Sequence, residues 1–343
     1  MRAEDMARME VQFVDGCQRP PPEGPGLTSE QARTLWEQVA VFSGYGFNQG
    51  HATAYAHVSY RSAYLKTHWP AAFFCARLAN WGGFHHPAMY MAEAIRLGLA
   101  IRPPHVNGSG REFTLTWEGE SAVLWMGLGQ VRDLRRSAIR AIVDERRQRT
   151  FDGLRDLVRR VSLQPREVVH LIRCGALDGL GESRAALLAE AEDIGRAGSA
   201  LQMSLFDQGT MGRPQVMAES EEQRSRWERE LLGYPVSALA EPLKLVAGRL
   251  PDHVPLCRLP EMAGRTVRVA GVRLPGWTGG EGFYLWDGQA WVIVRVGESR
   301  KGPPPWEPLL LRGRPVVDEW GMVWFQAEPE AEAVGLKEQS PAG

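Results

Sequence analysis

The stretch Val267-Arg268-Val269-Ala270-Gly271-Val272-Arg273-Leu274 is where the pattern of this chain turns from helical to extended. Four segments of the same kind follow it, at residues 282–286, 290–296, 308–311 and 323–325. Each is short, rich in β-branched or aromatic residues, and set apart by glycine or proline, which is how strands and their turns are written. Five such strands after a long helical region predict a small closed β-barrel of the OB type. The expected fold class is α+β and multidomain: mainly α over the first two-thirds, then a barrel domain over residues 221–328.

Upstream of the barrel, a helix is expected near residues 221–232, preceded by a polar, turn-rich connector. Residues 127–192 read as helical, broken by short turns at Asp152-Gly153, Gly175-Ala176 and Gly179-Leu180-Gly181. Further back, residues 113–117 and 122–126 flank Glu118-Gly119-Glu120 as a hairpin. Ile101-Arg102-Pro103-Pro104 must be extended, because proline disfavours helix in the residue before it. Helices are expected over residues 87–97 and 52–78, and another starts at Thr28-Ser29-Glu30, behind the Pro/Gly-rich stretch at 20–26.

With 343 residues there is room for two or three domains with real cores. No stretch approaches the roughly 20 apolar residues of a membrane span, and the acidic opening Met1-Arg2-Ala3-Glu4-Asp5 does not read as a secretory signal. Cys17, Cys75, Cys174 and Cys257 form no CxxC pair, against both a zinc site and a disulfide framework. A cytoplasmic location is expected. The net charge of −1 hides an uneven distribution: residues 131–173 hold twelve arginines, six acidic residues and no lysine. The end of the chain, residues 329–343, is expected to be a disordered acidic tail.

Within the connector lies Gln202-Met203-Ser204-Leu205-Phe206, followed by Asp207-Gln208-Gly209. A Leu-Phe pair there has no amphipathic neighbours with which to build a core. It either folds back onto a domain or enters another protein's pocket. The order resembles the short linear motif by which bacterial DNA-handling proteins hold the sliding clamp, with Leu and Phe in an apolar pocket and Gln at its rim.

A longer resemblance is carried by residues 42–56, Phe-Ser-Gly-Tyr-Gly-Phe-Asn-Gln-Gly-His-Ala-Thr-Ala-Tyr-Ala, with Ser59-Tyr60, Tyr64-Leu65-Lys66 and His68-Trp69-Pro70-Ala71. This block resembles the end of the fingers region in bacterial C-family DNA polymerases, the DNA polymerase III alpha subunits. The likeness continues in order through Glu93-Ala94-Ile95-Arg96-Leu97-Gly98, Pro103-Pro104-His105-Val106-Asn107, Gly127-Leu128-Gly129-Gln130-Val131, residues 171–178, residues 184–188 and Glu230-Leu231-Leu232-Gly233. It implies an end-of-fingers helical region (1–108), a tandem helix-hairpin-helix DNA-binding region (109–198), a linker with the clamp motif (199–220) and the OB-like domain. It also implies that the palm, with its metal-binding aspartates, lies upstream of this sequence. No cofactor is therefore expected here, magnesium belonging to the palm, and no catalytic or metal-binding residue is assigned.

Two departures stand out. Gln49-Gly50 replaces a pair that often carries lysine. The first hairpin reads Arg132-Asp133-Leu134-Arg135-Arg136 where the family usually has Gly-x-Gly, whose bare backbone reaches a phosphate. That pattern resembles the error-prone branch and leaves arginine side chains to do the work. The expected DNA contacts are Arg132, Arg135, Arg136, Arg140, Arg146, Arg147 and Arg184 in the hairpin region. Arg268, Arg273, Trp277, Phe283 and Trp286 would bind or stack unpaired bases on the barrel. The plainer reading makes the arginines a solvated face and the aromatics core. Likewise His51, His57, His68, His85 and His86 lack ligand spacing and read as packing or capping residues. The partners implied are DNA, duplex and single-stranded, a sliding clamp and a separately encoded palm chain. The activity would be replication or translesion synthesis; the alternative is a stand-alone scaffold that recruits a polymerase or repair factor to the clamp.

Overall fold

The computed structural model describes residues 3–43, 49–80, 82–200, 217–280, 282–296 and 303–333. The clamp-like segment 202–206 lies outside them. The chain divides into two units, residues 1–68 and 69–343, so the region expected over 1–108 is split at His68.

The first unit holds α1 (Ala3–Gln18), α2 (Ser29–Ser43) and α3 (Gln49–His68). Thr28 and Gln31 cap α2 reciprocally, each side chain accepting the other's backbone N–H. Phe13 of α1 meets Trp36 of α2 at 5.5 Å between ring centres. Among the described residues of this unit only Val14 and Ala32 are buried hydrophobics, and α3 buries none.

The second unit begins with α4 (Pro70–Ala79) and α5 (Pro87–Arg96), each with proline in its first turn, where a missing N–H costs nothing. A three-stranded sheet follows: β1 (Ala100–Arg102), β2 (Thr114–Glu118) and β3 (Ser121–Trp125), in the order β1-β3-β2. The expected hairpin is β2–β3, its turn made by Gly119 at φ 62°. The sequence reading placed β1 as extended chain but did not foresee its parallel pairing with β3.

Then come α6 (Arg136–Gln148), α7 (Leu154–Arg160), α8 (Pro165–Arg173), α9 (Arg184–Ala200) and α10 (Glu221–Leu232). One apolar core joins Phe74 of α4, Met91 of α5, Leu124 of β3, Ile142 of α6, Leu157 of α7, Ile172 of α8 and Leu231 of α10. The hairpin helices and α4–α5 therefore form one body.

The barrel consists of β4 (Val267–Leu274), β5 (Phe283–Trp286), β6 (Trp291–Arg295), β7 (Pro308–Val317) and β8 (Val323–Ala333). It closes in the order β4-β5-β6-β8-β7, with β6 and β8 parallel and the other pairs antiparallel. This is the OB arrangement, and the α+β expectation holds. The last two strands outrun the short segments read from sequence. In particular, β8 runs on to Ala333, pairing with Leu309, so residues 329–333 are strand and not the start of a disordered tail.

Alternation along the strands turns Val269, Phe283, Leu285, Val292, Val294 and Phe325 into the barrel core. Tyr284, Trp286 and Trp291 point outward, yet they meet Met89 and Ala92 of α5 in a second apolar seam. All four residues of β5 are consequently buried. The outer face of β5 and of most of β6 is covered by α5 together with Leu239, Leu243 and Trp306.

Candidate nucleic-acid interface

The first hairpin begins with a single 3-10 turn at Leu128–Gln130, passes through residues 131–135 and enters α6. Leu128, Val131, Ala138, Ile139 and Ile142 are buried. Because residues four apart share a helix face, burying that stripe turns the remaining face, with Arg136 and Arg140, to solvent. Arg136, Arg140, Arg147 and Arg111 line one shallow groove, floored by Ile139 and Val143. Asp144 is the single acid in it, 3.3 Å from Arg147. Arg111 itself lies 3.4 Å from Glu112. Arg132, Arg136 and Arg140 are exposed.

Asp133 occupies the left-handed region at φ 60°, the conformation for which glycine is favoured. Its carboxylate sits 2.6 Å from Arg166 of α8, which offsets the acid at the hairpin tip. Next to it, the backbone N–H of Arg135 is already taken by the Glu167 carboxylate at 3.0 Å. That same carboxylate accepts from Arg135 Nε and Nη2 and from the Gln164 backbone N–H. The Arg135 guanidinium beside it is the main cause that holds the Glu167 carboxyl down at about 2, against the opposing effect of burial. An internal carboxylate thus occupies a backbone donor that would otherwise be open to an anion.

Several expected contact residues already hold partners within the protein. Arg135 is bound to Glu167, as described, with its side chain still 42% exposed. Arg146 donates to the carbonyls of Val106 and Ser109 and is half-buried; burial, then the charge of Arg147, pushes its guanidinium below the usual range. Arg184, only 2% exposed, donates to both carboxylate oxygens of Asp178, to Glu228 and to the Arg173 carbonyl. Burial presses its guanidinium downward, but the bonds and charges of Asp178 and Glu228 outweigh this and carry it upward. Arg184 is an internal cross-brace, not a surface contact.

On the barrel, Arg273 donates to the Pro303 carbonyl and lies over the Phe283 ring at 5.8 Å. Phe283 faces the barrel core, and Trp286 is fully buried with its Nε1 donating to the Leu239 carbonyl at 2.8 Å. None of these three is placed to meet an external base. Arg268 remains exposed, as does Trp277, whose ring lies 5.3 Å from the exposed ring of Phe84.

His86 caps α5, its Nδ1 accepting the Ala88 N–H. No group of three or more His, Cys, Asp or Glu able to hold a metal ion occurs among the described residues. None of the described helices is long and apolar enough to cross a membrane. The sequence reading missed Arg111. It lies 25 residues before Arg136, and backbone bonds from the Leu128 and Gly129 N–H groups to the Gly110 and Arg111 carbonyls bring the two segments together.

Comparison with known proteins fits this geometry. Residues 98–187 match the family model described as a helix-hairpin-helix motif. The chain is 32% identical over 240 residues to the DNA polymerase III subunit alpha of Aquifex aeolicus, covering 69% of this chain and 20% of that protein. Against the Thermus aquaticus subunit it is 33% identical over 253 residues, 69% of this chain and 20% of the relative. The Vibrio cholerae subunit is 32% identical over 282 residues, 75% and 24% respectively. The chain therefore spans about a fifth of the length of the curated relatives it matches. A solved asparaginyl-tRNA synthetase from Pyrococcus horikoshii aligns with a TM-score of 0.22 at 18% identity, covering 25% of this chain and 23% of that one, which carries no argument.

Proposed function

We infer that this chain, a relative of part of the bacterial DNA polymerase III alpha subunits, is a DNA-binding portion of such a polymerase. It grips the duplex backbone through the outer face of α6. The observation that carries this reading is the groove in which Arg111, Arg136, Arg140 and Arg147 converge against one acid. Guanidiniums pair with phosphate oxygens in a planar fork and carry no base preference. Binding is then sequence-independent and steeply dependent on salt. Four phosphate contacts give a slope of log K against log salt of about −3.6. Titration of a labelled duplex by fluorescence anisotropy measures it, and Arg136→Ala/Arg140→Ala lowers the slope by about two. Affinity that ignores both salt and this substitution overturns the reading.

Two further roles belong to the same proposal. Gln202-Met203-Ser204-Leu205-Phe206 tethers the chain to a sliding clamp, supported by its resemblance to clamp-binding peptides. Leu205→Ala/Phe206→Ala then abolishes retention on immobilised clamp, and equal retention of both forms removes the tether. The catalytic palm is supplied by a separate polypeptide, and α3 is the surface that meets it. Supporting this, α3 leaves Tyr55, Val58, Tyr60 and Leu65 exposed around its circumference and buries none of its residues, and exposed apolar side chains in such number mark an interaction site. Adding the palm-bearing chain to this one confers primer extension if the two form one enzyme. No gain would make the chain an accessory scaffold instead.

A further inference from the structure

We propose that the second unit carries a docking cavity for a basic peptide of a partner protein, between the start of α10 and the start of β7. It is distinct from the arginine groove on α6 and does not depend on what that groove binds.

The cavity encloses about 540 Å³, within the span of about 300–1,000 Å³ usual for formed ligand sites. Its floor is apolar and comes from separate parts of the chain: Leu239, Val272 of β4, Trp306, and Pro308 of β7. Leu239 and Val272 are buried beneath it, while Trp306 is half-buried. The backbone N–H of Trp306 donates to the Arg273 carbonyl at 2.8 Å, and its ring stands edge-on to Tyr234. Its φ of 69° is one that a bulky side chain rarely adopts, so the surroundings hold the indole against its local preference. A fixed indole in a concave wall is a group on which a partner's side chain can seat.

The rim decides the class of occupant. Two of its three cations already have partners: Lys244 lies 2.6 Å from Glu221, and Arg224 lies 2.7 Å from Glu219. That leaves Arg229 against Glu222, Glu241 and Glu307, all four exposed. The uncompensated charge of the rim is therefore negative. It is the reverse of the α6 groove, where four arginines meet one acid. Phosphate is repelled at such a rim, which excludes nucleic acid as the occupant.

The three carboxylates also come from separate places: Glu222 from the first turn of α10, Glu241 from the chain after Leu239, and Glu307 from the residue before β7. They address cations at several points and do not gather round a single ion. An apolar floor beneath a spread acidic rim fits a peptide with a large apolar side chain between two basic ones. The apolar residue seats on Trp306, and the basic residues lay their stems along the wall with their charges at the carboxylates.

The test uses the full chain, isotope-labelled at its tryptophan indoles, titrated with acetyl-Lys-Phe-Lys-amide and followed by NMR. Trp306→Phe identifies the Trp306 signal. That signal shifts saturably, with half-saturation below about 1 mM. Acetyl-Glu-Phe-Glu-amide and acetyl-Lys-Gly-Lys-amide bind at least about fivefold more weakly. Glu222→Gln/Glu307→Gln weakens the Lys-Phe-Lys peptide about fivefold, as expected of two exposed charge pairs. Glu222→Lys/Glu307→Lys reverses the preference in favour of the Glu-Phe-Glu peptide, and unchanged melting shows that both variants are folded. The inference is overturned if the Trp306 signal does not shift saturably up to about 10 mM peptide, if the three peptides bind alike, or if charge reversal leaves the preference as it was. It is equally overturned if spermidine displaces the Lys-Phe-Lys peptide at equal charge, which would make this a site for a small polyamine. A Trp306 signal that moves with protein concentration alone would make the occupant a second copy of the chain and would also refute it.

Discussion

Arginine is the residue whose role sequence alone most easily misassigns. Arg184 and Arg136 sit in equally helical surroundings, yet one is 2% exposed and the other faces solvent. The difference lies 44 residues away, at Glu228, which is itself fully buried and accepts from the backbone and hydroxyl of Ser237. Removing Arg184 would strand that carboxylate in the core. Arg184→Ala is expected to destabilise the second unit by about 3–5 kcal/mol, read by urea unfolding, because an uncompensated buried charge is left behind. Arg136→Ala, by contrast, should stay within about 0.5 kcal/mol of wild type in the same assay. Glu167 makes a parallel case with a pH signature. Its carboxyl is held at about 2 in the folded chain, below the ordinary glutamate value of about 4.3. A depressed carboxylate contributes stability that is fully present above the unfolded value and lost as pH falls through the folded one. Melting temperature should therefore drop between about pH 5 and pH 2, and Glu167→Gln should flatten that limb of the curve. An unchanged acid limb in the variant would show that Glu167 does not hold the hairpin.

At the scale of elements, periodicity was a sound guide to what each segment is and a poor one to what covers it. The pair Arg136 and Arg140 was legible, because four-residue spacing within α6 puts side chains on one helix face whatever else the fold does. Likewise, each of the five barrel strands announced itself by β-branched residues between glycines and prolines. Strand alternation also says that Tyr284 and Trp286 face away from Phe283 and Leu285. It says nothing about α5, some 190 residues earlier, which packs on the outward pair. That is why Trp286 read as a base-stacking residue and proved to be core. The seam gives a direct check. Ala92 of α5 is fully buried there, with no room for a larger side chain. Ala92→Leu is expected to cost about 1–3 kcal/mol by overpacking, and to shift the emission of the tryptophans in the seam. Ala92→Leu with full stability and an unaltered spectrum would mean that α5 does not close this face.

At the scale of the whole chain, the two units differ in how they hold themselves together. The second unit contains all three apolar clusters, from Phe74 of α4 to Phe325 of β8. The first contributes Val14 and Ala32 as its buried hydrophobics among the described residues. Two side chains of that size bury too little apolar surface to offset the entropy of ordering more than sixty residues. On the proposal that α3 meets a palm-bearing chain, that contact supplies the missing stability of α1–α3. This sets an expectation for amide hydrogen exchange on the isolated chain. Amides of α3 should exchange by local opening, orders of magnitude faster than those of β5 or α8, whose exchange tracks global unfolding. Adding the palm-bearing partner should slow α3 while leaving β5 and α8 as they were, since binding stabilises only what it touches or what unfolds with it. Deleting residues 1–68 should leave the melting transition and duplex affinity of the second unit in place. Strong protection of α3 in the isolated chain would instead mean that the first unit has its own stable packing. Its exposed tyrosines would then need another explanation than a missing partner.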